Sequence, residues 1–389
     1  MNKATAIDLV ERARALAPLI RQEADEIERT RRLTEPVVTA LVENGLYRAL
    51  LPKSLGGAEV PLATFMQMQE EIAKADASTA WCLGQCSVCA VISAYIDHDA
   101  ADEIFNTKQG ILAWGAINHD VRAEPGGYRA NARWEFASGV RQASWLGAHV
   151  RITEADGTPR RKPDGSPEIR TILFPLSSAT LYDVWDVIGL RGTGTDSYSV
   201  DNLFIPEKFA ALRDEPSALR EKGPLYKIPT NAIYSMGFAA TSLGVARAQF
   251  EAAVDLSRKK TPQGLAAMKE NTAVQAQIGL NEAKLRRARA YLFATAAEVW
   301  DDLTRGPFTE GHRVALRLAA TSTIHQSTEI VDIAYHMAGA TAVFRANGFE
   351  RRLRDMHAIN QQLQARDAHY EEMGKAILIG NFAGPPLSK

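Results

Sequence analysis

The sequence predicts an α+β multidomain chain: an N-terminal helical domain over residues 1–108, a middle antiparallel β-barrel domain over 109–215, and a C-terminal four-helix bundle domain over 216–389. Three observations predict it. Apolar residues recur at three- and four-residue spacing through the first hundred residues, the period of an amphipathic helix. From about residue 109 the pattern shortens to brief runs rich in β-branched and aromatic residues, separated by turn signals. From about residue 228 the helical period returns and holds to about 380.

The first helix is TAIDLVERARALAPLIRQEADEIERT, with charges between its apolar positions. A second, LTEPVVTALVENGLYRAL, begins near a Thr-x-Pro start and stops near Asn44-Gly45. LPKSLGGAEV is a Pro/Gly loop, after which LATFMQMQEEIAKA and the Trp81 segment return to helical spacing. Strands are expected at ILAWGAI, YRANARWEFASG, AHVRITEADG, IRTILFPL and SYSVDNLFIP. The two Asp-Gly dipeptides in EADGTPRRKPDGSPE suit a hairpin or meander loop. A long helix through AIYSMGFAATSLGVARAQFEAAVDLSRKK, then helices over 271–304, 310–338 and 350–379, compose the bundle.

The 389 residues, 46 % hydrophobic and 23 % charged, give ample material for a large core in two or three structural units. A net charge of −1 argues against broad electrostatic binding of nucleic acid or of a membrane surface. The N-terminus is charged and lacks an apolar leader, and no apolar run approaches the ~20 residues of a membrane span. A cytoplasmic location is therefore expected. Cys82, Cys86 and Cys89 fall on one face of an apolar helix. With no fourth cysteine and no histidine at ligand spacing, they read as reduced core thiols, and no metal is expected.

Three stretches resemble the acyl-CoA dehydrogenase superfamily over essentially the whole chain. YRANARWEFASG is similar to its strand motif ending Trp-Ile-Thr, with Phe136-Ala137-Ser138 in the last three places. WDVIGLRGTGTDSYSVDNLFIPE, with Gly189 and Arg191, resembles its second β signature. AYHMAGATAVFRANGFERRLRD resembles its C-terminal flavin segment, with Gly339-Ala340 and Arg354-Asp355 in register. The resemblance implies the acyl-CoA dehydrogenase-like order of helices, β-barrel and helical bundle.

Within that superfamily a dehydrogenase needs a carboxylate base. After Arg354-Asp355 the chain offers Gln362, Leu363 and Gln364, and the other family position falls near Tyr234. None is acidic. Arg354-Asp355-Met356-His357-Ala358 instead resembles the oxygenase branch, as do FASG and Trp145. That branch comprises the oxygenase components of two-component flavin monooxygenases. The resemblance implies reduced FMN or FAD supplied by a separate flavin reductase, O2 as co-substrate, and an aromatic or heterocyclic small molecule oxygenated in a dry pocket. It also implies a homotetramer with flavin bound across a subunit interface.

Carried residue by residue, the resemblance implies that Ser138 donates to the flavin ring and Phe136 lies beside it. Trp114-Gly115 would line its pyrimidine edge, Arg258 would reach a phosphate, and Gly339-Ala340 would allow close approach of the tail. His357 or Gln362 would face the substrate, with Trp81 in the pocket wall. Each has a plainer reading: a turn hydroxyl for Ser138, sheet core for Phe136 and Trp114, and complement to the helix dipole for Arg258. Gly339 would serve tight helix packing, and Trp81 core packing. Gln362 stands where the oxygenase branch carries a second histidine, and an amide cannot change charge near neutral pH. Thr261-Pro262 replaces the family's Phe-Gly and leans the tail site towards FMN. The rival readings are an acyl-CoA dehydrogenase or flavin oxidase with a relocated base, and a degenerate non-catalytic family member.

Overall fold

The computed structural model describes residues 3–115 and 119–379. Five helices come first: α1 (Lys3–Thr30), α2 (Glu35–Glu43), α3 (Leu62–Ala73), α4 (Ala77–Cys89) and α5 (His98–Phe105). Pro36 near the start of α2 fits a position where the backbone N–H has no helical partner, and Gly45 ends the turn after it at φ +72. Asp76 caps α4, its carboxylate accepting from the Thr79 N–H at 2.7 Å. The segment Ala77–Tyr95 is long and apolar enough to cross a membrane, contrary to the expectation that no run is, and 94 % of its apolar window is buried inside the fold.

The middle of the chain is one sheet of β1 (Leu112–Trp114), β2 (His119–Glu124), β3 (Gly127–Ala137), β4 (Trp145–Thr153), β5 (Ile169–Pro175), β6 (Thr180–Tyr182), β7 (Asp196–Pro206) and β8 (Ala210–Ala211). The order is β6-β7-β3-β2-β4-β5-β8, with β1 also against β4. The expected antiparallel barrel is corrected on two counts. Both β1 and β2 run parallel to β4, so the sheet is mixed. The ladder also stays open, because its edge strands β6 and β8 hold only three and two residues and offer too few backbone groups to close a ring. The parallel pairing has a simple origin. β3 turns back on β2 as a hairpin, and residues 138–144 then cross to the far side before β4 re-enters. Trp134, fully buried, packs on Tyr198, Phe174 and His119 in the sheet core. Truncating such a ring costs about 3–5 kcal/mol.

The C-terminal helices are α6 (Thr230–Lys259), α7 (Thr272–Leu303), α8 (Glu310–Ala338), α9 (Phe349–Asn360) and α10 (Ala368–Ile379). The helix expected over 350–379 is two helices, broken at Gln361 and Gln362 by a turn that the Gln362 side chain caps. Helix α6 is buried along most of its first two-thirds. Its small residues permit this, since Gly244 and Gly237 lie against Glu70 and Phe65 of α3 with no room for a Cβ.

Candidate functional site

Three stretches distant in sequence meet where β3 ends. The pairing of β3 with β7 shifts register between Trp134 and Ala137, and Phe136 sits in that bulge at φ +60 with 59 % of its surface exposed. A left-handed aromatic residue costs about 1–2 kcal/mol, and exposing the ring forgoes its burial as well. The ring meets the edge of Trp185, centroids 6.5 Å apart. An apolar face held open at such cost suits a planar ligand. Three residues on, Gly139 adopts φ +79 with Cys86 Sγ 2.6 Å from where a Cβ would sit, which lets the strand end press onto α4.

That contact assembles a hydrogen-bonded chain. Trp81 Nε1 donates to Ser138 Oγ at 3.0 Å. Ser138 Oγ and Thr195 Oγ1 lie 2.8 Å apart, and Thr195 Oγ1 and Thr193 Oγ1 2.7 Å apart. Thr193 Oγ1 donates to the Leu190 carbonyl at 2.8 Å. Each hydroxyl has one proton, so the terminal carbonyl fixes the direction throughout: Thr195 donates to Thr193, and Ser138 donates to Thr195. Ser138, expected to donate to a ligand, therefore has its proton committed and offers only a lone pair. The chain is anchored further. Leu190 O also accepts from Trp185 Nε1 at 2.9 Å, and the Leu190 N–H donates to Asp355 Oδ1 at 2.6 Å.

On the other side of Ser138 stands an aromatic wall. Trp81 stacks on Phe238 with centroids 3.8 Å apart and planes 7° from parallel, and Phe238 continues to Tyr234 at 5.6 Å. The Tyr234 hydroxyl lies 3.2 Å from Cys89 Sγ. Burial, followed by Cys89, holds the Tyr234 phenol protonated far above its usual range, so it is no base. The three cysteines are buried and unbridged, and burial lifts the Cys82 and Cys89 thiols to about 12.

The other expected residues lie as follows. Trp114 is a core ring, edge-on to His149 at 5.1 Å, and the Gly115 N–H is spent on the Tyr198 hydroxyl at 3.1 Å. Arg258 is exposed and, among the described residues, pairs with Asp255 at 2.8 Å. Gly339 (φ +58) and Ala340 are exposed at the end of α8, near the end of α6, where Lys260 Nζ donates to the Ala338 carbonyl and to Thr341. His357 pairs with Asp332 of α8 at 2.7 Å and makes no hydrogen bond to the wall. Gln362 accepts from the Gln364 N–H, while its own Nε2 is buried with no partner among the described residues. Gln364 reaches Asn231 of α6 at 2.7 Å. Arg354 and Asp355 do not pair with each other. Arg354 pairs with Glu28 at 2.9 Å and Glu350 at 2.6 Å, leaving Asp355 as the cap of Leu190. Burial, then the Asp76 charge, raises the Asp355 carboxyl to about 8. A cleft of about 1010 Å³ opens beside the same loop, lined by Ile188, Arg191, Arg345 and Arg354 among others. Sequence reasoning assigned no role to Thr193 and Thr195, although they lie inside the second β signature, and missed Phe238, which carries no motif of its own.

Helices, an open mixed sheet and helices again, with a strained exposed ring beside a hydroxyl chain, define an acyl-CoA dehydrogenase-type fold. Models of the acyl-CoA dehydrogenase N-terminal domain and C-terminal domain match residues 6–104 and 236–366. The chain belongs to the acyl-CoA dehydrogenase superfamily. It is 27 % identical over 359 residues to an indole-3-acetate monooxygenase of Pseudomonas putida, covering 91 % of this chain and 89 % of that one. It is 28 % identical over 373 residues to HsaA, the oxygenase subunit of a flavin-dependent monooxygenase of Rhodococcus jostii, covering 90 % and 92 %. XiaF from Streptomyces sp., solved in complex with FADH2 and glycerol, superposes with TM-score 0.89 at 21 % identity over 98 % of both chains, a likeness of fold.

Proposed function

We propose that this chain is the oxygenase component of a two-component flavin-dependent monooxygenase. It takes reduced FMN or FAD from a separate reductase and uses O2 to oxygenate an aromatic or heterocyclic small molecule. The observation that carries the reading is the committed proton of Ser138. A hydroxyl that can only accept complements a ring N–H, which reduced flavin has at N5 and oxidised flavin lacks. The named monooxygenases P. putida and R. jostii supply, similar along nine-tenths of the chain, support the same class.

When bound, reduced flavin supplies the electrons that activate O2. Phe136 would cover one face of its ring and Ser138 would accept at N5. Arg258, Gly339 and Ala340 would meet its tail, completed by a second subunit of a homotetramer. Trp81, Phe238 and Tyr234 would exclude water from the substrate. Gln362 would donate a hydrogen bond through its orphan amide and leaves the substrate's charge unaltered. With no carboxylate at Gln362, Leu363, Gln364 or Tyr234, the dehydrogenase reading has no base at either family position. Trp114 and His357 take supporting places, in the sheet core and in the α8–α9 contact. A cytoplasmic location suits a reductase partner.

The test is anaerobic titration with reduced FMN and, separately, reduced FAD, followed by rapid mixing with O2. The expected result is tighter binding of reduced than of oxidised flavin, and a long-lived near-ultraviolet transient before the oxidised spectrum returns. Tight binding of oxidised FAD with no transient sinks the proposal.

A further inference from the structure

The turn Leu363–Ala365, between α9 and α10, is clamped by side chains of two helices. Its three successive carbonyls each accept from one of them: Leu363 from His369 Nε2 at 2.7 Å, Gln364 from Thr321 Oγ1 at 3.0 Å, and Ala365 from His325 Nε2 at 2.6 Å. Thr321 and His325 stand on α8 and His369 on α10. Gln364, buried at the centre of the turn, is therefore held in place by its backbone.

Its side chain lies between Arg317 of α8 and Asn231 of α6. Arg317 Nη1 donates to Gln364 Oε1, and Gln364 Nε2 donates to Asn231 Oδ1 at 2.7 Å. Arg317 is buried, and its one hydrogen bond among the described residues goes to this amide. Burial lowers its pKa only to about 10, so near neutral pH it stays a cation with no lone pair to offer. That fixes both amides. Gln364 must turn its oxygen to Arg317 and its nitrogen to Asn231, and Asn231 must answer with its oxygen. The Asn231 nitrogen is the end left over, and it makes no hydrogen bond among the described residues. Asn231 is half-buried and meets the proposed substrate site by two routes. Along α6 it precedes Tyr234 by three residues and Phe238 by seven, the spacing of one helical face. Through the turn, the Gln364 N–H donates to Gln362 Oε1 at 2.9 Å, so one residue joins Asn231 to Gln362.

We propose that Asn231 selects the substrate by donating to an acceptor oxygen on the aromatic molecule, and that Arg317, acting through Gln364, is the positioning residue that makes it a donor. The inference rests on the oxygenase reading and names its substrate class. That class is an aromatic compound with a carbonyl or other proton-free oxygen beside the ring, in preference to one presenting an N–H. A substrate N–H at that place meets another N–H and leaves both unpaired.

The test compares 1-indanone, indole and indane, bicyclic compounds of similar size, titrated anaerobically into the full-length protein loaded with reduced flavin. 1-Indanone offers an acceptor, indole an N–H, and indane neither. The wild type is expected to bind 1-indanone roughly three- to tenfold more tightly than indane, the worth of one hydrogen bond, and indole no better than indane. Gln364→Glu reverses the chain, because a carboxylate accepts from both neighbours and turns the Asn231 oxygen outwards. Indole should then bind more tightly than 1-indanone by a similar factor, a reversal that lost packing does not produce. Asn231→Asp presents an oxygen without disturbing Gln364. It should give the same reversal, and it decides the matter if Gln364→Glu fails to fold. Arg317→Met frees the Gln364 amide to turn over and should bring the affinities for 1-indanone and indole together. Arg317→Lys, again only a donor, should restore the preference. Equal binding of 1-indanone and indane by the wild type, binding of none of the three, or the wild-type preference kept in any of Gln364→Glu, Asn231→Asp and Arg317→Met, overturns the assignment. Reduced-flavin affinity without aromatic ligand, measured on every protein, reports separately on folding and on the oxygenase reading. Failure of the wild type to bind reduced flavin overturns that reading instead.

Discussion

Ser138 has one proton, and on the proposed reading its destination sets which flavin the site prefers. The Leu190 carbonyl orients Thr193, Thr193 orients Thr195, and Thr195 takes the Ser138 proton. Replacing Thr195 by Val removes the acceptor and frees Ser138 to donate. Oxidised flavin, whose N5 accepts, should then bind roughly five- to tenfold more tightly relative to reduced flavin, the worth of one hydrogen bond. Ser138→Ala, lacking both functions, should bring the two affinities together by weakening the reduced form. Fluorescence titration of each redox state reads both. An unchanged ratio in Thr195→Val, with the fold intact by circular dichroism, would show that the chain does not set the preference. At this scale the sequence was half legible. Phe136-Ala137-Ser138 stood out as a motif with a role, whereas Thr193 and Thr195, though inside the second β signature, have no role to read until the fold sets Thr195 beside a serine 57 positions away.

At the scale of elements, Asp355 joins α9 to the loop that holds this chain. Its oxygen accepts from the Leu190 N–H, and Leu190 sits at φ +51, a conformation that needs such support. Burial raises its carboxyl to about 8, against roughly 3.9 in an unfolded chain. The folded state therefore holds this proton more tightly. Its favourable effect on stability is complete below about pH 4 and is lost as pH rises through about 8. Asp355→Asn keeps an acceptor for Leu190 and has nothing to titrate. Between pH 5 and pH 8 the wild-type Tm should fall further than that of Asp355→Asn, measured by differential scanning calorimetry. Parallel curves would place the titration elsewhere, with Asp76 the next buried acid. The elements themselves were legible where periodicity is strong, as in α1, α6, α7 and α8. The sheet was read as antiparallel because alternation along β1 and β4 says nothing of direction, which the 138–144 crossing decides. The α9–α10 break escaped because Gln361-Gln362 contains neither Gly nor Pro.

At the scale of the molecule, the residues proposed for the flavin tail lie open. Arg258 ends α6, Gly339 and Ala340 end α8, and Lys260 locks the two ends together through the Ala338 carbonyl and Thr341. Beside them Val343 and Phe344 are 67 % and 66 % exposed. Two large apolar side chains on a short, pinned turn suit a subunit contact better than solvent. A copy seated there would bury the apolar pair and enclose the tail site together, so assembly and flavin affinity should fail together. Phe344→Asp is expected to reduce the mass seen by light scattering after size exclusion. It should also weaken reduced flavin at least tenfold, while the Ser138 chain, at the end of β3, keeps its preference for the reduced over the oxidised form. A smaller species with undiminished affinity would mean that one subunit completes the tail site. A wild type that runs as a monomer would remove the interface altogether.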